Sequence, residues 1–169
     1  MKKFVLFFVF ISMTFQLAIA QKFAFIDTDY ILNQMPEYQK AQKDLDDLAE
    51  KWQKEIEAKY KEIETKYKAF QEEEILLPEE TKKQRMEEIL ELEKVAKELQ
   101  KKRFGVNGDL YKKRKELIEP IQDEIYKAIK SLSKDNNYNF ILDKSTNSNI
   151  LYADPKYDKS DAVLRKINN

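Results

Sequence analysis

From Tyr38 to about Leu132 the sequence carries one helical pattern, folded back near Leu76–Leu77–Pro78, and a charged run of that length cannot be wound into a compact core. Its first arm places apolar residues at Ala41, Leu45, Leu48, Trp52, Ile56, Tyr60, Ile63, Tyr67 and Phe70, with gaps of 4, 3, 4, 4, 4, 3, 4 and 3. Such spacing marks a helix with a narrow, coiled-coil-like seam rather than a broad core-facing stripe. Glu50/Lys54, Glu55/Lys59, Glu57/Lys61, Glu62/Lys66 and Glu64/Lys68 fill the other faces at i,i+4 spacing with the acid first. Each pair adds only about 0.2–0.5 kcal/mol, but together they favour a long helix standing in water.

The return arm begins at Pro78, suited to a first helical position, with Glu79 and Glu80 behind it at the positive end of the helix dipole. Its seam reads Met86, Ile89, Leu92, Ala96, Leu99, Val106, Leu110, Leu117 and Ile121, with Arg103 and Arg114 in the skipped places. At about 1.5 Å per residue the first arm is a rod of about 57 Å. A tip at Leu77 sets residues whose numbers sum to about 154 face to face. The hinge candidates are Gly105 and Gly108, the chain's two glycines, and Pro120, where a bend is expected. For the glycines close packing is the competing reading.

The chain ends differ from this middle. Lys2 and Lys3, the apolar run Phe4–Phe15 and Ala18–Ile19–Ala20 read as a cleaved signal peptide over residues 1–20, leaving Gln21 as the mature terminus. Without Lys2 and Lys3, 29 basic side chains face 31 acidic ones, a net charge of −2. That balance gives no electrostatic case for nucleic acid or an anionic membrane. The absence of cysteine and histidine removes thiol nucleophiles, imidazole bases, disulfides and the usual zinc ligands together.

Phe23–Ile26 reads as a buried strand, followed by a short helix capped by Asp27 or Thr28 and a restart at Met35–Pro36. Asn136–Asn137 ends the long helix, Tyr138–Leu142 is a second strand and Asn149–Tyr152 a third, with Ser145–Ser148 as the turn of a hairpin between them. Ser160 caps a last short helix docked through Val163, Leu164 and Ile167. The expected fold is α+β: a small β-rich body made from residues 21–37 and 120–169, and a helical hairpin over 38–119 with its tip near 75–80. A body so small, without disulfide or metal, calls for copies that close one another's strand edges. Phe23, Phe25, Ile26, Phe140, Ile141, Leu142 and Leu151 are the candidates for that shared core.

FAFIDTDYILNQMPEY, the charged hairpin, IEPIQDEIYKAIKSLSKDNNYNFILD and KYDKSDAVLRKIN together resemble the Skp/OmpH-like family of periplasmic chaperones, over essentially the whole mature chain. The resemblance implies a homotrimer in the periplasm. Its β-rich body would carry three helical tentacles around a cavity that holds unfolded outer-membrane proteins. Familiar members are markedly basic, whereas this mature chain is nearly neutral, which leaves direct contact with membrane or lipopolysaccharide open.

The chemistry agrees with binding rather than catalysis. Glu72–Glu73–Glu74 and Glu87–Glu88 pair carboxylates, but on solvated faces without a pocket to shift their pKa values, and no phosphate-cradling glycine loop exists. No enzyme, cofactor or metal is expected. Phe104 and Tyr111, off the seam, and Ile75, Leu76 and Leu77 at the tip are candidate client contacts. Trp52, Tyr60, Tyr67 and Phe70 are too, with seam packing as the competing reading. The reading is an ATP-independent holdase, and its alternative is a structural coiled-coil spacer or tether of the cell envelope.

Overall fold

A computed structural model describes residues 21–146 and 150–168. Residues 1–20, read as a signal peptide, and residues 147–149, read as part of the hairpin turn and the start of the third strand, lie outside the described residues. The chain divides into two compact units, one holding the residues up to Thr28 and from Ala128 onward, the other Asp29–Lys127. The short helix after the first strand groups with the arms.

In the unit of the chain ends, strand β1 (Phe23–Ile26) opens the fold. Helix α1 (Thr28–Gln34) follows and leads into the second unit, where α2 (Pro36–Glu73) starts with its proline in the first turn, as the missing proline N–H allows. A 3-10 turn at Glu74–Leu76 reverses the chain, and Pro78 caps α3 (Glu79–Phe104) instead of being its first residue. Glu79 and Glu80 still occupy the first turn and Lys101, Lys102 and Arg103 the last, matching the dipole at both ends.

Arms α2 and α3 pair in the expected register at Lys66–Glu88 (2.6 Å) and drift by a few residues to Tyr60–Gln100 (3.3 Å). Ile63, Phe70, Ile89 and Ala96 form the buried seam, with Leu77, Met86 and Leu92 packed against it. Around that seam the ion pairs are exposed, among them Lys54–Glu50, Lys68–Glu64 and Arg85–Glu73. Solvated pairs of this kind stabilise little, so the arms rest on their seam.

The expected single helix of the return arm is broken. After Phe104 the chain leaves helical geometry through Gly105–Gly108 and resumes as α4 (Asp109–Asn136). Gly105 N–H bonds Lys101 O and Gly108 N–H bonds Gly105 O, both at 2.8 Å, and Asn107 holds φ 60°. A Cβ on Gly105 would stand 2.3 Å from Lys101 O and one on Gly108 2.8 Å from Lys102 O, so both glycines permit close backbone approach. Val106, read as a seam residue, is 98% exposed because it sits in this break. Pro120, where a bend was expected, lies inside α4. None of the described helices is long and apolar enough to cross a membrane.

Asn137 takes φ 55° and Tyr138 N–H reaches back to Ser133 O (3.0 Å), the left-handed stop expected for α4. Strand β2 (Phe140–Asp143) then pairs with β1 in parallel, Phe23 opposite Phe140 and Phe25 opposite Leu142. Parallel neighbours need a crossover, and here the whole helical segment is that connection. The third strand is absent: Ile150–Tyr152 carry no strand, and among the described residues the sheet has two. Instead a 3-10 turn at Pro155–Tyr157 brings Asp158 beside Phe25, with Lys159 N–H on Phe25 O at 2.9 Å. Helix α5 (Ser160–Ile167) closes the chain with Val163 fully buried.

Candidate functional site

Sequence logic put the working surfaces in three places, and the structure sorts their residues by exposure. At the tip, Leu77 joins the seam while Ile75, 92% exposed, and Leu76 stand in solvent. One turn thus holds a residue that closes the seam and two that stand in solvent. Along α2, Phe70 is buried in the seam, which removes it from the contact candidates: its ring is spent on holding the arms together. Tyr60 and Tyr67 lie at the seam's margin with part of each ring in water.

At the break in the return arm, Phe104 meets Trp52 edge-on (ring centroids 6.4 Å apart, 86° between planes). Arg103 lies over the Trp52 ring at 4.6 Å, donates to Asp109 Oδ2 at 2.8 Å and reaches Glu55 Oε2 at 3.4 Å. Arg103 was legible only as a charged residue on a seam position. Its partners Glu55 and Trp52, one helical turn apart on the facing arm, were the available signal. Phe104, Val106, Leu110, Tyr111 and Arg114 line an open groove here, so the two off-seam aromatics do share one surface.

The third place is the sheet. Phe23, Phe25, Phe140 and Leu142 fall on one face, since partners in register point the same way. Phe25 is covered, with Lys144 5.4 Å from its ring, and Tyr157 leans on Phe23 at 4.8 Å. Phe23, Phe140 and Leu142 nevertheless stay 50%, 59% and 48% exposed. Leu151 and Tyr152 beyond them are more exposed still. On the other face Ala24 and Ile26 are buried and Ile141 is half-buried. Strand β1 is bonded on both sides, by β2 and by the Asp158–Lys159 segment. Among the described residues no second strand pairs with β2.

A polar network fixes this sheet. Asp143, at the end of β2, accepts from Thr28 N–H (3.2 Å), Ser145 N–H (3.1 Å) and the Ser145 hydroxyl (2.8 Å). It thereby satisfies an amide at the start of α1, where an anion is favoured. Ser160 is the first residue of α5 rather than its cap: its buried hydroxyl donates to Asp158 Oδ1 (2.6 Å) and accepts Asp27 N–H (2.9 Å). Asp158 takes the capping role by accepting Ser160 N–H at 2.9 Å. Lys144 lies between Asp158 (3.1 Å) and Asp27 (3.5 Å). Burial pushes the Asp143 and Asp158 carboxyls up, but the hydrogen bonds from Thr28 and Ser145, and from Ser160 and Lys144, outweigh it and hold both below the ordinary aspartate range. The Asp158 hydrogen bond pushes Lys144 up. Each charge is answered within the network, and among the described residues no acidic group is gathered as a metal site.

A long helical hairpin, together with a two-stranded parallel sheet made from the two ends of the chain, defines a class of helical-arm proteins. Residues 22–167 match the family described as outer membrane protein (OmpH-like), and the chain belongs to that family. The crystal structure of a candidate OmpH-like outer membrane chaperone from Caulobacter crescentus CB15 is similar in fold, with a TM-score of 0.71 at 11% identity over 88% of this chain and 84% of that one. No curated protein matches the chain significantly.

Proposed function

We propose that the chain is an ATP-independent periplasmic holdase that, as a homotrimer, encloses unfolded outer-membrane proteins between its helical arms and keeps them from aggregating. Membership of the OmpH-like family supports a chaperone role. The observation that carries the assembly is the sheet face: Phe23, Phe140 and Leu142 are about half exposed there, beside the edge of β2 that no second described strand pairs with. Fully burying an exposed side chain of this kind is worth about 1.5–3 kcal/mol, and these are already about half covered, so a second and third copy gain roughly half of that for each one they cover. The signal-peptide pattern read over residues 1–20 supports export of this assembly to the periplasm.

Client contact falls to Phe104 and Tyr111 at the break and to Ile75 and Leu76 at the tip, with the exposed margins of Trp52, Tyr60 and Tyr67 along the arm. Aromatic and aliphatic groups hold unfolded chains without demanding a sequence. Several weak contacts per client give tight capture while each one releases fast. The near-neutral balance of charge favours neither nucleic acid nor lipid as a partner.

The test dilutes a urea-unfolded outer-membrane barrel protein into buffer without nucleotide and follows light scattering. Equimolar trimer is expected to suppress the scattering, and Phe104→Ala with Tyr111→Ala to weaken that effect. An envelope spacer or tether leaves scattering unchanged, and that outcome contradicts the proposal.

A further inference from the structure

We propose that Gly105–Gly108 is a two-state joint in the return arm, latched by Arg103. This side chain ties the two sides of the break to each other and to the opposite arm. Arg103 is in the last turn of α3 and Asp109 is the first residue of α4, so their 2.8 Å ion pair spans the interruption. No other side-chain hydrogen bond among the described residues joins α3 to α4. The backbone bonds of the interruption are local: Gly105 N–H closes the end of α3, and Gly108 N–H turns back on Gly105. Neither holds one helix to the other.

The same guanidinium lies over Trp52 and reaches Glu55, both on α2, and Phe104 completes the contact by its edge on Trp52. One side chain therefore sets the angle of the break and docks it on the facing arm. The planar fork of arginine can stack and pair at once, which a lysine cannot.

Two features make the latch reversible. The Arg103 Nε is buried without an acceptor, so the closed arrangement carries an unsatisfied donor that opening would expose to water. The side chain is also 23% exposed, against 27% for Asp109 and 42% for Glu55, so dissolved ions reach all three. Gly105 has φ −68° and ψ 170°, which any residue adopts, so its lack of a Cβ serves the 2.3 Å approach to Lys101 O in the closed form. Opening frees the Trp52 and Phe104 rings beside Val106 and Tyr111, so arm angle and exposed aromatic surface change together.

The joint is a property of the arm alone and is read without a client, so its failure leaves the chaperone reading standing. The chain has no cysteine and a single tryptophan, Trp52. Spin labels at Glu98→Cys and Lys112→Cys, exposed positions on either side of the break, report its angle in the full assembled protein by pulsed dipolar spectroscopy. At low salt one narrow distance distribution is expected. Arg103→Gln is expected to broaden it about twofold or add a second distance, Arg103→Lys to do so less, and about 1 M salt to shift the unmodified latch the same way while moving Trp52 emission to the red. Where Arg103→Gln loses helicity by circular dichroism, Asp109→Asn is read in its place, since it leaves the stack on Trp52 intact. An unchanged distribution in the folded variant overturns the latch; a broadened one supports it.

Discussion

The hairpin and the sheet are stabilised in opposite ways. Along the arms a few buried residues, Ile63, Phe70, Ile89 and Ala96, repeat at helical spacing, and the surrounding charges are solvated and locally paired. In the sheet unit the polar groups are tightly bonded around Asp143 and Asp158, while Phe23, Phe140 and Leu142 are left in water. An arm can therefore be lengthened or trimmed turn by turn without loss of its principle. The sheet unit is finished in its polar half and unfinished in its apolar half, and that imbalance is what a partner copy would correct.

The sharpest way to break the comparison is to put charge on each exposed apolar surface in turn. Phe140→Asp with Leu142→Asp is expected to abolish assembly, read as a shift of native mass to single copies, whereas Ile75→Asp with Leu76→Asp at the tip should leave the mass unchanged. Within the arm, Ile89→Ala empties a buried seam position. It is expected to cost about 2–5 kcal/mol, lowering the thermal midpoint and speeding amide exchange in α2 and α3 without altering assembly.

Acid should separate the two units next. Asp143 and Asp158 are held below their ordinary range when folded, so the stability they lend is fully present above that range and lost as pH falls through their folded pKa values. Chemical denaturation followed from neutral to acid pH should show that loss in the native chain and a flatter dependence in Asp143→Asn, which starts about 1–3 kcal/mol less stable through its misfitted amide. At the small end, Lys54→Gln removes an exposed pair with Glu50 and should leave the thermal midpoint within error of the native value.

The arms were legible because their signal repeats: Ile56, Ile63, Ile89 and Ala96 were all on the seam traced by spacing, and all are buried. The two strands were legible as short apolar runs, but their parallel pairing was not, since nothing local encodes the partner's direction. Ile150–Leu151–Tyr152 misled for a related reason. Apolar β-prone residues record what a segment can do beside a neighbouring edge, and Ile150–Leu151–Tyr152 pair with neither described strand. Gly105 and Gly108 were read as a hinge or a close-packing point inside one helix, but the pair, with Asn107 in the left-handed region between them, ends one helix and starts another. Ser160 was the residue expected to cap the last helix, yet Asp158, two positions earlier, accepts its amide and displaces it from that role. Of the contact candidates, sequence period alone could not separate buried Phe70 from its half-exposed neighbour Tyr67, because only the facing arm decides which edge of a narrow seam is covered.

The native mass of the chain beginning at Gln21, measured by mass spectrometry at micromolar concentration, tests the shared sheet most directly. Three copies are expected, with single copies appearing only on dilution and together with loss of structure in the sheet unit. A single, fully folded copy at micromolar concentration, with Phe140 and Leu142 in water, would contradict it.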